Sequence, residues 1–113
     1  MITHTIYGPL PNLNLTYDEL KVLVAELLSN CSTFDFIPFI NALSEHVKVN
    51  KTGIEIDKDT VYTGGLSQTD TSRVREIIWD FIVDRYITLG GNGHDTWPTL
   101  TITERGKAYF GFR

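Results

Sequence analysis

The 113 residues predict an α+β domain with a three-helix core, a small antiparallel sheet and a C-terminal hairpin. Two observations carry that expectation. Apolar residues recur at helical spacing in three stretches, Leu20 to Leu28, Phe36 to Val47 and Val74 to Tyr86, each preceded by residues able to cap a helix. After the third stretch the period changes to two, and two alternating runs flank Gly90-Gly91-Asn92-Gly93, the composition of a hairpin connection.

The length suits one ordinary domain, since a second core would leave each half too small to bury enough surface. The expected organisation is an extended N-terminal arm over residues 1–15 and one domain over residues 16–113. Hydrophobic residues make up 42% and charged residues 21%, near the globular average and away from disorder. No apolar run approaches the roughly 20 residues needed to cross a bilayer, and Met1 is followed by Ile-Thr-His-Thr rather than a signal sequence, so no membrane association and a cytoplasmic location are expected. With Cys31 alone, no intrachain disulfide can form, and a buried spectator thiol is expected.

In the arm, Ile2, His4 and Ile6 alternate with Thr3, Thr5 and Tyr7, and Gly8-Pro9-Leu10-Pro11 then excludes a helix. Such an arm can pack on its own domain or cross to a partner subunit. The first helix begins at a capping box, Thr16-Tyr17-Asp18-Glu19, with Leu15 and Leu20 spaced as a hydrophobic staple and Leu20, Leu23, Val24, Leu27 and Leu28 as its core stripe. Ser29-Asn30 ends it. Ser32, Thr33 and Asp35 are candidate caps for the second helix, whose first turn must hold Pro38 and whose stripe is Phe36, Phe39, Ile40, Leu43 and Val47.

From Asn50 to Ser67 the helical period is lost; Thr52-Gly53-Ile54-Glu55-Ile56 alternates and predicts a short strand, with a loop after it. Thr69, Asp70, Thr71 and Ser72 are candidate caps for the third helix, whose buried stripe is Val74, Ile77, Ile78, Phe81 and Ile82, with Trp79 at its edge. Its opposite face carries Arg73, Glu76, Asp80 and Asp84, so Arg73 is expected to pair with Glu76 or Asp80 across the surface. Tyr86 to Leu89 and Thr99 to Thr103 are the hairpin strands, followed by a short helix or turn holding Ala108, Tyr109 and Phe110.

The string Val74 to Thr88, followed after the glycine loop by Leu100-Thr101-Ile102-Thr103-Glu104-Arg105-Gly106, resembles bacterial winged helix-turn-helix proteins, in which a helix ending in a short apolar strand leads to a wing and a Leu-Thr-x-x-Gly exit. The resemblance implies a winged-helix domain in which the short strand after the second helix joins the wing hairpin. It further implies a small transcriptional regulator acting as a dimer on double-stranded DNA. The first turns of the third helix would then offer Gln68, Thr69, Thr71, Ser72, Arg73 and Arg75 to phosphates or base edges. The wing would add Asn92 and His94, with Arg105 and Lys107 near its base, while Trp97 either joins them or packs on the core.

Charge sets a rival reading beside that one. The chain carries a net charge of -4, whereas sequence-independent DNA affinity rests on Lys and Arg neutralising phosphates. The alternative is a non-catalytic winged-helix module that binds another protein. A decisive geometric criterion is whether Arg73, Arg75, Arg105 and Lys107 share one face. In either case the N-terminal arm and the C-terminal aromatics are candidate homodimer contacts, the aromatics otherwise covering the first helix.

No enzyme is expected. There is no Gly-x-Ser-x-Gly elbow or phosphate-cradling loop, and Gly90 to Gly93 lead into a strand rather than a helix N-terminus. His94 and Asp95 are adjacent along a strand and so point to opposite faces, which disfavours an acid-base pair. His4, His46, His94 and Cys31 lack the close spacing of zinc ligands, so neither metal nor cofactor is expected.

Overall fold

A computed structural model describes residues 4–57, 59–91, 93 and 95–111. Their elements run β1 (His4–Ile6), α1 (Tyr17–Leu28), β2 (Thr33–Asp35), α2 (Phe36–Asn50), β3 (Thr60–Tyr62), α3 (Gln68–Val83), β4 (Ile87–Leu89), β5 (Thr99–Ile102) and α4 (Glu104–Phe110). The fold is mixed α+β, with four helices and two small sheets among the described residues. No described helix is long and apolar enough to cross a membrane.

Helix α1 starts where its chemistry dictates. The Thr16 hydroxyl accepts from the Glu19 backbone N–H, and the Glu19 carboxylate accepts from the Thr16 N–H. These bonds favour ionised Glu19 and hold its carboxyl below its ordinary value. A carboxyl lowered by folding contributes stability above its ordinary value and loses that contribution as pH falls through the lowered one. Glu19→Gln is therefore expected to flatten the acid limb of thermal stability as pH falls through and below the ordinary carboxylate range. An unchanged acid limb in melts across that range would contradict this.

Helix α2 corrects one capping expectation. Asp35 is the N-cap but makes no side-chain cap bond; its carboxylate instead accepts from the Thr99 hydroxyl at 2.8 Å. Ser32 and Thr33 do not cap either, because Thr33–Asp35 is drawn into a strand against β5, and Pro38 falls in the first turn of α2 where its missing N–H costs nothing. The C-terminus is closed by Lys51 in the left-handed region (φ 52°) and by the Thr52 N–H donating to the Val47 carbonyl.

The strand expected at Thr52 to Ile56 does not form. Gly53 has φ +67° and its carbonyl accepts from the Asn14 N–H at 2.7 Å, so the segment is tied to the arm rather than to a ladder. Ile54 and Ile56 nevertheless pack against the core, which accounts for the alternation without a strand. The strand lies further on, at β3, where it pairs in parallel with β1, His4 opposite Thr60 and Ile6 opposite Tyr62.

The second sheet has strand order β2-β5-β4, antiparallel throughout. The strand that joins the hairpin thus precedes α2, correcting the expectation that it would follow α2. Leu100 and Ile102 of β5 are buried, opposite Leu89 and Ile87, and Thr101 lies on the other face. Gly90 and Gly91, which follow β4, lie against that other face: the Thr101 hydroxyl donates to the Gly90 carbonyl, and a Cβ on Gly91 would collide with Thr101 and Thr33.

Helix α3 is capped two residues before the first of its candidate caps. Ser67 is the N-cap, its hydroxyl accepting from the Asp70 N–H, so Thr69, Asp70, Thr71 and Ser72 all lie inside the helix. The C-terminus closes with the Tyr86 N–H donating to the Phe81 carbonyl and the Arg85 N–H to the Ile82 carbonyl, with Arg85 at φ 65°. Phe81 meets Phe110 of α4 edge to face at 4.9 Å, joining the end of α3 to α4, which also packs on α1. The core runs through all three main helices and takes in Leu10 and Leu13 of the arm. The arm is thereby built into its own domain.

Cys31 sits just beyond α1, half-buried, its thiol donating to the Leu27 carbonyl at 3.5 Å. Burial pushes the thiol up from its ordinary value and leaves less of the reactive thiolate at neutral pH. Iodoacetamide at about pH 8 should alkylate Cys31 in the folded protein at least roughly threefold more slowly than in the denatured chain. Equal rates would contradict that environment.

Candidate binding face on α3

The outward side of α3 collects most of the residues expected to contact a partner. Gln68, Thr69, Ser72, Arg73, Arg75 and Glu76 line one shallow depression at its first two turns, and Thr71 lies beside it, half-buried. The two arginines diverge, however, because residues two apart on a helix point about 200° from one another. Each finds a different environment.

Arg73 turns toward the arm. Its Nη1 donates to Asp70 Oδ1 at 3.1 Å, and its Nη2 donates to the Leu15 carbonyl at 2.7 Å. Asp70 is 0% exposed, and its other oxygen accepts from the Leu13 N–H at 2.8 Å and the Ser67 hydroxyl at 3.1 Å. This closed node replaces the surface pairing of Arg73 with Glu76 or Asp80 expected from spacing. Its cause is the arm, which brings one backbone donor, the Leu13 N–H, and one acceptor, the Leu15 carbonyl, to the start of α3. Asp80 is engaged elsewhere: it accepts from the Tyr17 hydroxyl and lies 3.8 Å from Lys21. Burial, then the bond to Asp80, raises the Tyr17 phenol above the ordinary tyrosine range.

Arg75 turns the other way, toward the hairpin. Its guanidinium lies 5.4 Å from the Phe36 ring centroid. Phe36 also meets Trp97, at 4.9 Å, and Trp97 stacks on Trp79 at 6.0 Å with an interplanar angle of 15°. Trp97 is therefore partly buried and packed on the core. Trp79 remains 42% exposed and Val83, one turn on, 78% exposed. Together they leave an apolar strip along α3, with Glu76 exposed beside it.

Arg105 and Lys107 lie on α4, both exposed. The Arg105 guanidinium is 5.4 Å from the Tyr86 ring, beyond the C-terminal end of α3. The rise of about 1.5 Å per residue separates that end from Arg75 by roughly 12 Å. Arg73, Arg75 and Arg105 thus occupy three separate environments. Asn92 and His94, the expected contacts of the hairpin tip, lie outside the described residues.

Comparison with protein-family models, curated proteins and solved structures gives no match to this chain. Among the described residues no group of three or more His, Cys, Asp or Glu is placed to hold a metal ion. The exposed tryptophan strip was not legible as a site, since Trp79 at the edge of a helical stripe carries no signal of what stacks on it. The signal that could have raised it is the second tryptophan in the hairpin loop, Trp97.

Proposed function

We propose that this chain is a non-catalytic winged-helix module that binds a protein partner through the outward face of α3 and the β4–β5 wing. The order α1, β2, α2, α3, β4, β5, with β2 added to the far strand of the hairpin, supports the winged-helix reading. The half-exposed Trp79, braced by Trp97 and followed by exposed Val83, carries the choice of partner. Aromatic anchors of this kind are enriched at the energetic centres of protein interfaces, whereas a phosphate-binding face needs clustered cations. Arg73 is committed to Asp70, and Arg105 stands at the other end of α3.

One observation favours a second reading, DNA binding. Gln68, Thr69, Ser72 and Arg75 share the surface of the first turns of α3, the position from which such a helix meets base edges. Anisotropy titration with mixed duplex DNA at low and moderate salt separates the two. The protein-binding reading expects no salt-dependent binding. Salt-dependent binding abolished by Gln68→Ala with Arg75→Ala would overturn it in favour of a DNA-binding regulator. On the protein side, a partner captured by the wild-type chain should be lost with Trp79→Ala while circular dichroism stays unchanged.

A further inference from the structure

The β1–β3 pair is an unusual element to leave by itself. Isolated two-stranded sheets are marginal in water, and parallel pairing ordinarily occurs in sheets covered on both faces. Here all three residues of β1 are exposed; Ile6 (42%) and Val61 (48%) add apolar surface on the pair, and Tyr7 (86%) adds more just beyond β1.

The hydrogen-bond parity of β1 fixes which backbone groups look outward. The His4 N–H donates to the Asp59 carbonyl at 2.6 Å, and the Thr63 N–H donates to the Ile6 carbonyl at 3.1 Å. The Gly64 N–H likewise donates to the Gly8 carbonyl at 2.8 Å, so residues 4, 6 and 8 face β3, and the N–H and C=O of Thr5 and Tyr7 between them face away from it. Among the described residues no backbone group bonds to these two positions. Such an edge is a ready template for another strand.

We propose that β1 is a self-pairing edge: two copies of this chain join antiparallel through residues 5–7, about a two-fold axis at Ile6. In that register Thr5 of one copy exchanges both backbone hydrogen bonds with Tyr7 of the other, and the reverse pair does the same. Ile6 meets its symmetry mate in the non-hydrogen-bonded position, where Cα atoms approach to about 4.5 Å. The arrangement is self-complementary, as an isologous interface must be. It converts two marginal two-stranded sheets into one four-stranded sheet of order β3-β1-β1-β3. An edge this short covers less than the roughly 800 Å² per partner of a standard interface, so the dimer is a weak, concentration-dependent one.

The test uses disulfide trapping in the full chain with Cys31→Ser. Ile6→Cys places two thiols across the axis within the Cα range a disulfide accepts, whereas Val61→Cys places them on the outer strands, out of reach. Under mild oxidation Ile6→Cys should form covalent dimer at least about tenfold faster than Val61→Cys, as expected for a raised effective concentration. Adding Thr5→Pro to Ile6→Cys removes only an outward N–H and leaves the bonds to β3, so it should abolish the excess without lowering the melting temperature. Equal rates for the two cysteine variants, or an excess that survives Thr5→Pro in a chain that melts normally, would overturn the proposal.

Discussion

Replacing Asp70 with alanine is expected to lower stability by about 3–5 kcal/mol, the range for removing one partner of a buried ion pair. In a domain of this size that corresponds to a drop in melting temperature on the order of 10–20 °C. The reason lies in what Asp70 leaves behind. Its two oxygens satisfy Arg73, the Leu13 N–H and the Ser67 hydroxyl, all from a position with 0% exposure. Without it the Arg73 guanidinium keeps only the Leu15 carbonyl, and the Leu13 N–H is left buried without its acceptor.

Two controls separate this account from simple loss of a helix cap. Ser67→Ala removes the N-cap acceptor of α3 and should cost about 0.5–2 kcal/mol, well short of the Asp70 effect. In a double-mutant cycle, Asp70→Ala and Arg73→Ala should be strongly non-additive, because the second loss removes the stranded charge left by the first. The amide of Leu13 should also lose hydrogen-exchange protection, since the node is what holds the arm to α3. A melt within about 1 kcal/mol of wild type would show that the node contributes little, despite its burial.

That node also marks where sequence reading stopped. The three main helices were legible because their stripes are long and their caps local: the capping box at Thr16 and Glu19 is complete within four residues. The hairpin was legible from the change of period and the glycines. Contacts spanning long stretches of chain were not. Asp70 reads as one more capping residue, and only the arm, 57 positions away, turns it into a buried acceptor. The β1–β3 pair has the same character: Thr60-Val61-Tyr62 carries strand-forming side chains, but nothing local names a parallel partner at His4–Ile6. Conversely, Thr52 to Ile56 alternates for packing reasons and makes no ladder. At the candidate face, Gln68, Thr69, Ser72 and Arg75 lie on the first turns of α3. Arg73 lines the same depression, but nothing local in the sequence reveals that Asp70 and the Leu15 carbonyl engage its guanidinium.

Gly106→Ala is the sharper test of the C-terminal exit, because two physical effects predict opposite signs. Gly106 lies inside α4, where helix propensity alone would make alanine stabilising by roughly 1 kcal/mol. Packing says otherwise. A Cβ at this position would fall onto the Tyr86 carbonyl oxygen and reach to 3.0 Å from the Ile102 side chain. That carbonyl cannot swing aside, since it accepts from the Thr103 N–H at 3.0 Å and from the Thr103 hydroxyl at 3.1 Å. Thr103 in turn caps α4 by accepting from the Gly106 N–H at 2.8 Å. The Thr103 to Gly106 exit is therefore a clasp that seats α4 against the corner between α3 and β4, and glycine is what lets the two backbones approach. The clash is with backbone rather than with a flexible side-chain end, so the expected cost is about 3 kcal/mol or more, outweighing propensity. Thr103→Ala, which removes the cap but adds no atom, should cost only about 1 kcal/mol. A Gly106→Ala protein that melts at or above the wild-type temperature would mean that α4 does not sit against Tyr86 in this way.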